Sequence, residues 1–204
     1  MKTQCHNPYL PLWEHIPDGE PHVFEDRLYV FGSHDLENGN EFCEQDYVSW
    51  SAPLDDLSDW RYEGVIYRKD QDPYNVNVLP LYAPDVVQGR DGRYYLYYCI
   101  KFQDSINVAV CDTPAGQYEF YGRVQYKDGQ AMMENQTYDP SVICTEEGNF
   151  LYFGFAPCMI NIPRYKDQDL KGGSVLQLED DMITVKKRTA SDHSESELWK
   201  RNFI

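Results

Sequence analysis

The chain has 204 residues, 42% of them hydrophobic, a formal net charge of −16 and a pI near 4.5. That length and apolar content suffice for a packed core. The acidic balance argues against nucleic acid or an anionic membrane surface as a partner, because binding to phosphate needs a basic field. No run reaches the roughly 18 apolar residues that a membrane helix needs, and the N-terminus lacks the apolar core of a signal peptide.

The six cysteines are scattered, with no CxxC pair and no spacing typical of metal ligands. Cys99 and Cys111 lie in apolar runs, where a free thiol behaves as a small hydrophobic side chain. We therefore expect a reduced, cytoplasmic protein. The even number of cysteines leaves disulfides open, although no spacing requires them.

Short aromatic and β-branched runs bounded by Gly, Pro and Asp dominate the chain, and they predict strands. The clearest of these runs are Arg27–Phe31, Tyr94–Tyr98 and Phe150–Phe155. Turn signals lie between the runs, at 91–92 (DG), 128–129 (DG) and 147–149 (EGN). No long stretch has a helical period, so the predicted fold class is all-β.

One pattern occurs three times: an Asp, a short apolar strand, a tight turn and an aromatic strand. The copies begin at residues 16–23 (IPDGEPHV), 82–87 (YAPDVV) and 137–142 (TYDPSV). Repeats of about 50 residues with four short strands are typical of β-propeller blades. The sequence predicts blades at about 16–65, 80–127 and 136–186, with 187–204 as a tail or the start of a fourth blade.

The repeated Asp suggests a site, because the innermost strand of every propeller blade lines the central channel. We assign Asp18, Asp85 and Asp139 to one equivalent position and expect three carboxylates in one funnel. An Asp followed by Gly or Pro also shapes turns, and that interpretation has about even odds for any single copy. The threefold recurrence favours a site.

These segments resemble family 43 of the glycoside hydrolases. Residues 17–24 and 29–35 resemble its opening blade, 82–86 (YAPDV) stands where the family has Trp-Ala-Pro-Asp, and 138–142 (YDPSV) matches its third-blade motif. The likeness runs from about Asn7 to about Val185. It implies a five-bladed β-propeller and an inverting hydrolase of α-L-arabinofuranosides or β-xylosides from plant-type oligosaccharides.

The resemblance implies a role for each carboxylate. Asp18 takes the place of the general base, and Asp139 that of the residue that tunes the acid's pKa and orients the substrate. Asp85 matches a second-blade residue with a structural or sugar-contacting role. Glu197 lies about where the family has its general acid, but the surrounding motif is not reproduced. Glu195 and Glu197 also fit solvated charges at a chain end, which is the interpretation we favour.

Inverting glycosidases use one carboxylate to activate water and one protonated acid for the leaving oxygen, about 6.5–9.5 Å apart. A further carboxylate nearby raises the pKa of the acid. Carboxylates on different blades that face one channel satisfy both demands.

Aromatic side chains beside the Asp motifs are candidate sugar contacts, although most aromatics of a propeller fill blade interfaces. The candidates are Trp13, Phe31, Tyr82 and Tyr138. His22 and His34 adjoin the first motif, and we interpret both as packed or hydrogen-bonding residues. No metal triad is visible and no cofactor is required, although the resemblance allows a structural calcium ion in the channel.

Five blades need about 250 residues or more. We therefore expect a truncated propeller, or one that a second chain completes. The leading hypothesis is a glycosidase acting on an oligosaccharide or a small glycoside. The alternative is a carbohydrate-binding or assembly fragment without turnover.

Overall fold

The computed structural model describes residues 7–133, 137–154 and 173–190. Within these ranges no helix is long and apolar enough to cross a membrane. Apart from a short 3-10 helix at Lys69–Gln71, the regular elements there are strands. These are β1 (Glu20–Phe24), β2 (Arg27–Phe31), β3 (Tyr47–Pro53), β4 (Arg61–Tyr67), β5 (Leu81–Gln88), β6 (Tyr94–Ile100), β7 (Ile106–Cys111), β8 (Glu119–Arg123), β9 (Ser141–Thr145), β10 (Gly148–Phe153), β11 (Ser174–Leu178) and β12 (Val185–Ala190).

The strands form three antiparallel sheets of four, β1–β4, β5–β8 and β9–β12, each in sequence order. The predicted all-β fold class is confirmed, and each sheet is one propeller blade. Residues 187–190, which we expected in a tail, lie in β12 at the edge of the third sheet. The expected start of a fourth blade, residues 191–204, lies outside the described residues.

Strand β6 shows why an unbroken aromatic run becomes a central strand. All seven of its residues are buried, and alternate side chains point to opposite faces of a strand. One face packs against the first blade, through Tyr94, Leu96, Tyr98 and Ile100. The other face packs against the third blade, through Tyr95, Tyr97 and Cys99. The second blade is therefore covered on both sides, and neither face of β6 needs polar residues.

Buried tyrosine hydroxyls find partners across the blade interfaces. The Tyr97 hydroxyl donates to the Met182 carbonyl at 2.5 Å, which joins the second blade to the third. The Tyr47 hydroxyl donates to the Tyr82 carbonyl at 3.1 Å, which joins the first blade to the second. Aromatic rings thus supply the apolar filling of the interfaces, and their hydroxyls fix the register of the blades.

The topology brings three inner strands together at one end of the channel. Strands β1, β5 and β9 each begin a blade, and β5 lies between the other two. Because neighbouring strands in a blade are antiparallel, the segment after β2 returns to the end at which β1 begins. Side chains that precede the inner strands therefore meet those of the loop after β2.

Candidate active site

Three residues with left-handed backbone conformation stand directly before the inner strands or at their start. They are Asp18 (φ 54°), Ala83 (φ 38°) and Asp139 (φ 52°). A side chain with a Cβ is uncommon at such φ values, and residues of this kind concentrate at functional sites. The expected equivalence of Asp85 with Asp18 and Asp139 is wrong, because Ala83 occupies that position in the second blade.

An irregularity in the second blade explains the two-residue difference. The pairing of β5 with β6 shifts between Tyr82 and Asp85, which is a β-bulge that no hydrophobic pattern reveals. The sequence does hold a usable signal, because 82–84 (YAP) aligns with 138–140 (YDP). That alignment sets Ala83 opposite Asp139.

Asp85 lies inside the protein, with 1% of its surface exposed. Its Oδ1 accepts hydrogen bonds from His22 Nε2 at 2.6 Å and from the Val86 amide at 2.8 Å. Its Oδ2 accepts one from the Val142 amide at 2.6 Å. His22 lies on β1 and Val142 on β9, so this carboxylate joins the three inner strands. Its burial leaves no surface for a sugar, which removes the sugar-contacting option.

Asp18 is exposed at the entrance of the channel. The Ser33 hydroxyl donates a hydrogen bond to Asp18 Oδ2 at 3.0 Å, and the Ala83 amide donates to the same hydroxyl at 2.8 Å. Ser33 is fully buried. It lies within residues 29–35, but the sequence analysis gave it no role, because its partner Ala83 is 50 residues away in the chain.

Asp139 is held close enough to Asp18 for their charges to interact. Partial withdrawal from water and the negative charge of Asp18 both raise the pKa of the Asp139 carboxyl. The pKa of Glu20 is also raised, first by partial burial and then by Asp85 and Asp18, while His22 acts in the opposite direction. The channel entrance thus concentrates carboxylates that affect one another's protonation.

The candidate sugar-contacting aromatics differ in exposure. Trp13 is 59% exposed, with its ring 6.0 Å from that of Trp50, and Tyr82 is half-buried. Burial raises the pKa of Tyr82 to about 12, with smaller contributions from Cys43 and Glu41, so its hydroxyl stays protonated at neutral pH.

The other two candidates belong to the core. Phe31 is fully buried in the cluster between the first two blades, so its expected role as a sugar contact is wrong. Tyr138 is 8% exposed and packs between the second and third blades, which leaves little of its ring for stacking. The neighbouring blade decides whether a face of β2 is open to solvent. The sequence around Phe31 does not show how that blade packs.

His34 and His22 both act through hydrogen bonds. His34 Nδ1 contacts the Asp46 carbonyl and its Nε2 contacts Glu14 Oε1, both at 2.8 Å. The other oxygen of Glu14 accepts from Trp50 Nε1 at 2.7 Å. This network holds the segment that carries Trp13 against β3 and the loop after β2.

The described residues contain one group of three side chains close enough for a metal ion, Glu20, His22 and Asp85, with ligand atoms within 4.8 Å of one another. Calcium needs about six to eight oxygen ligands. This group offers one imidazole and two carboxylates, and both oxygens of Asp85 already accept hydrogen bonds. These residues do not fit a calcium ion. The sequence analysis missed the group because its members come from two blades.

The candidate general acid, Glu197, and its neighbour Glu195 lie outside the described residues. The structure therefore brings together Asp18, Asp139 and Ser33, which hydrogen-bonds Asp18, and the roles of base and acid stay predictions.

Comparison with known proteins gives a consistent result. The sequence profile described as "Glycosyl hydrolases family 43" matches residues 23–203. A xylosidase/arabinosidase of Thermoclostridium stercorarium is 53% identical over 190 residues, covering 91% of this chain and 39% of the relative. A xylosidase/arabinosidase of Bacteroides ovatus is 32% identical, covering 76% and 47%. The chain thus spans less than half the length of these relatives.

Two solved structures share the fold. The RS223 β-xylosidase superposes with a TM-score of 0.66 at 23% identity, covering 87% of this chain and 59% of that one. CoXyl43, a β-xylosidase/α-arabinofuranosidase from a compost microbial metagenome, also gives 0.66 at 23% identity, covering 90% and 60%. At this identity the likeness concerns the arrangement of the blades.

Replacing Asp85 with Ala is expected to lower the free energy of unfolding by about 3–5 kcal/mol, because His22 and two buried amides lose their acceptor. Urea denaturation measures the change. The matched control is Asp55→Ala at an exposed site, with an expected change within about 0.5 kcal/mol. Equal destabilisation of the two variants would contradict a role for Asp85 in joining the blades.

Replacing Asp18 with Asn is expected to lower the pKa of Asp139, since the neighbouring negative charge is lost while the side-chain shape is kept. A carbon-13 NMR titration of the Asp139 carboxyl measures the effect. Asp55→Asn serves as the control and is expected to leave the titration unchanged. An Asp139 titration that is the same with and without Asp18 would show that the two carboxyls do not interact.

Proposed function

The chain belongs to family 43 of the glycosyl hydrolases. From this premise we propose that the three blades that the structure describes carry the general base of an inverting glycosidase. The proposed substrates are α-L-arabinofuranosides or β-xylosides in plant-type oligosaccharides or small glycosides. The proposal concerns the catalytic work of this chain, which spans only part of its relatives.

One observation supports the proposal above all others. Two carboxylates, Asp18 and Asp139, hold the same left-handed position before neighbouring inner strands, and the charge of Asp18 contributes to the raised pKa of Asp139. Carboxylates that face one channel and affect each other's protonation are what a glycosidase needs for acid and base work.

In the proposed reaction Asp18 accepts a proton from a water molecule, whose oxygen attacks the anomeric carbon. The bond to the leaving oxygen breaks on the opposite face of the sugar, and that oxygen takes a proton from the general acid. Configuration inverts because the attack is a single displacement. Asp139 orients the sugar and raises the pKa of the acid through its negative charge. Glu197 is the proposed acid.

The choice of sugar rests on the relatives, two of which are named xylosidase/arabinosidase. The net charge of −16 suits a neutral ligand. Trp13 is exposed and Tyr82 is half-buried, and both are proposed sugar contacts. We also propose a cytoplasmic location, where imported oligosaccharides are the accessible substrates.

Replacing Asp18 with Asn is expected to reduce hydrolysis of 4-nitrophenyl β-D-xylopyranoside and α-L-arabinofuranoside by roughly 10²–10⁴-fold, because the base that activates water is lost. Release of nitrophenol measures the rate, and proton NMR of the first product identifies the anomer. Asp55→Asn is the control and is expected to keep the rate of the unchanged chain. A rate that survives Asp18→Asn would remove the assignment of the base.

A second function is a carbohydrate-binding or assembly fragment without turnover, since the chain covers 39% and 47% of two relatives. It predicts that a folded chain binds xylo-oligosaccharides, or a second chain, and releases no product. Calorimetry with xylotriose and light scattering, run beside the nitrophenol assay, separate this function from the first.

A further inference from the structure

Ser33 links the first two blades beside Asp18, the proposed general base. It follows β2 and is fully buried, although it holds no place in the repeated motifs. Its Oγ lies 2.8 Å from the Ala83 amide and 3.0 Å from Asp18 Oδ2. Two partners from two other segments of the chain therefore meet at one oxygen.

The direction of each hydrogen bond follows from the chemistry of the partners. The Ala83 amide can only donate, so the Ser33 oxygen accepts from it. A serine hydroxyl has one hydrogen of its own, and an Asp18 carboxylate oxygen can only accept, so that hydrogen is directed to Asp18.

We infer that Ser33 is a positioning residue for the base, holding Oδ2 of Asp18 so that Oδ1 is the oxygen that takes the proton from water. The inference rests on the proposed function of Asp18. Among the residues that the structure describes, Ser33 is the one side chain that hydrogen-bonds Asp18.

The second blade gains a role at the site through this contact. It has Ala83 where the first and third blades have Asp18 and Asp139, so it offers no carboxylate at that position. The Ala83 amide instead fixes the Ser33 hydroxyl, and the bulge in β5 lies directly beside that amide. A catalytic group held by packed, hydrogen-bonded neighbours keeps its productive geometry, which is a large part of catalysis.

The activity test compares the unchanged chain with Ser33→Ala and Ser33→Thr. The substrate is β-D-xylopyranosyl fluoride, because fluoride leaves without a proton and its release reports on the base independently of the acid. For Ser33→Ala we expect kcat to fall roughly tenfold to a hundredfold with little change in KM. The hydroxyl of Ser33→Thr should restore most of the rate.

Ser49→Ala is the matched control. Ser49 is also fully buried in the first blade, and its hydroxyl donates to the Val30 carbonyl at 3.2 Å. This variant should lose comparable stability in urea without a comparable fall in kcat. A loss of rate that follows stability alone, equal in the two alanine variants, would overturn the positioning role.

A second measurement does not depend on turnover or on the folding of Ser33→Thr. The carbon-13 signal of the Asp18 carboxyl is recorded at neutral pH and assigned by its absence in Asp18→Asn. In Ser33→Ala its chemical shift should change relative to the unchanged chain, because Oδ2 loses its hydrogen bond, and in Ser49→Ala it should not change.

The two measurements separate the outcomes. A changed chemical shift in a chain that hydrolyses no glycoside supports the contact between Ser33 and Asp18 and overturns the proposed activity of this chain. An unchanged chemical shift overturns the inference about Ser33, whatever the rate.

Discussion

The three blades depend on a negative charge that is buried between them. Removing a carboxylate from water costs several kcal/mol, and the cost is recovered only when the charge is well hydrogen-bonded. Asp85 meets this condition with donors from its own strand, from β1 and from β9. Because both of its oxygens are engaged, the inner strands cannot slide past one another without leaving the carboxylate unpaired. The relative placement of Asp18 and Asp139 follows from this constraint. Asp18 lies just before β1 and Asp139 just before β9, which are the inner strands on either side of β5.

The residues with left-handed backbone conformation connect the arrangement of the inner strands to the candidate active site. Asp18, Ala83 and Asp139 each turn the chain sharply into an inner strand, at a conformational cost that the surrounding packing must cover. In the first and third blades the turn presents a carboxylate to the channel. In the second blade the turn presents an amide to Ser33, and the carboxylate two residues later, Asp85, points inward. The same backbone conformation therefore presents a carboxylate in two blades and a hydrogen-bonding amide in the other.

The sequence predicted the parts of this structure that depend on local patterns. Alternating and continuous apolar runs gave the strands, and β2 begins and ends where expected, because strand formation follows side-chain burial along a few residues. The repeated Asp drew attention to Asp18 and Asp139, which share a left-handed backbone conformation before two inner strands. The bulge in β5 was hidden, since it arises from pairing with β6, and with it the true register of Asp85. Ser33 was hidden because its partners are distant in the chain, and Phe31 was misassigned because its burial depends on the adjacent blade.

The two exposed carboxyls at the entrance have different surroundings, and the difference suits different tasks. Asp18 receives a hydroxyl donor that is itself fixed by the next blade, so its orientation is set by three segments. Asp139 is partly withdrawn from water beside the charge of Asp18, and both effects raise the pKa of its carboxyl. A carboxylate held in a defined orientation fits the proposed base. A carboxyl whose protonation responds to its neighbours fits the proposed residue that tunes an acid and contacts a sugar hydroxyl. The unequal surroundings of two side chains at equivalent backbone positions thus support two different proposed roles.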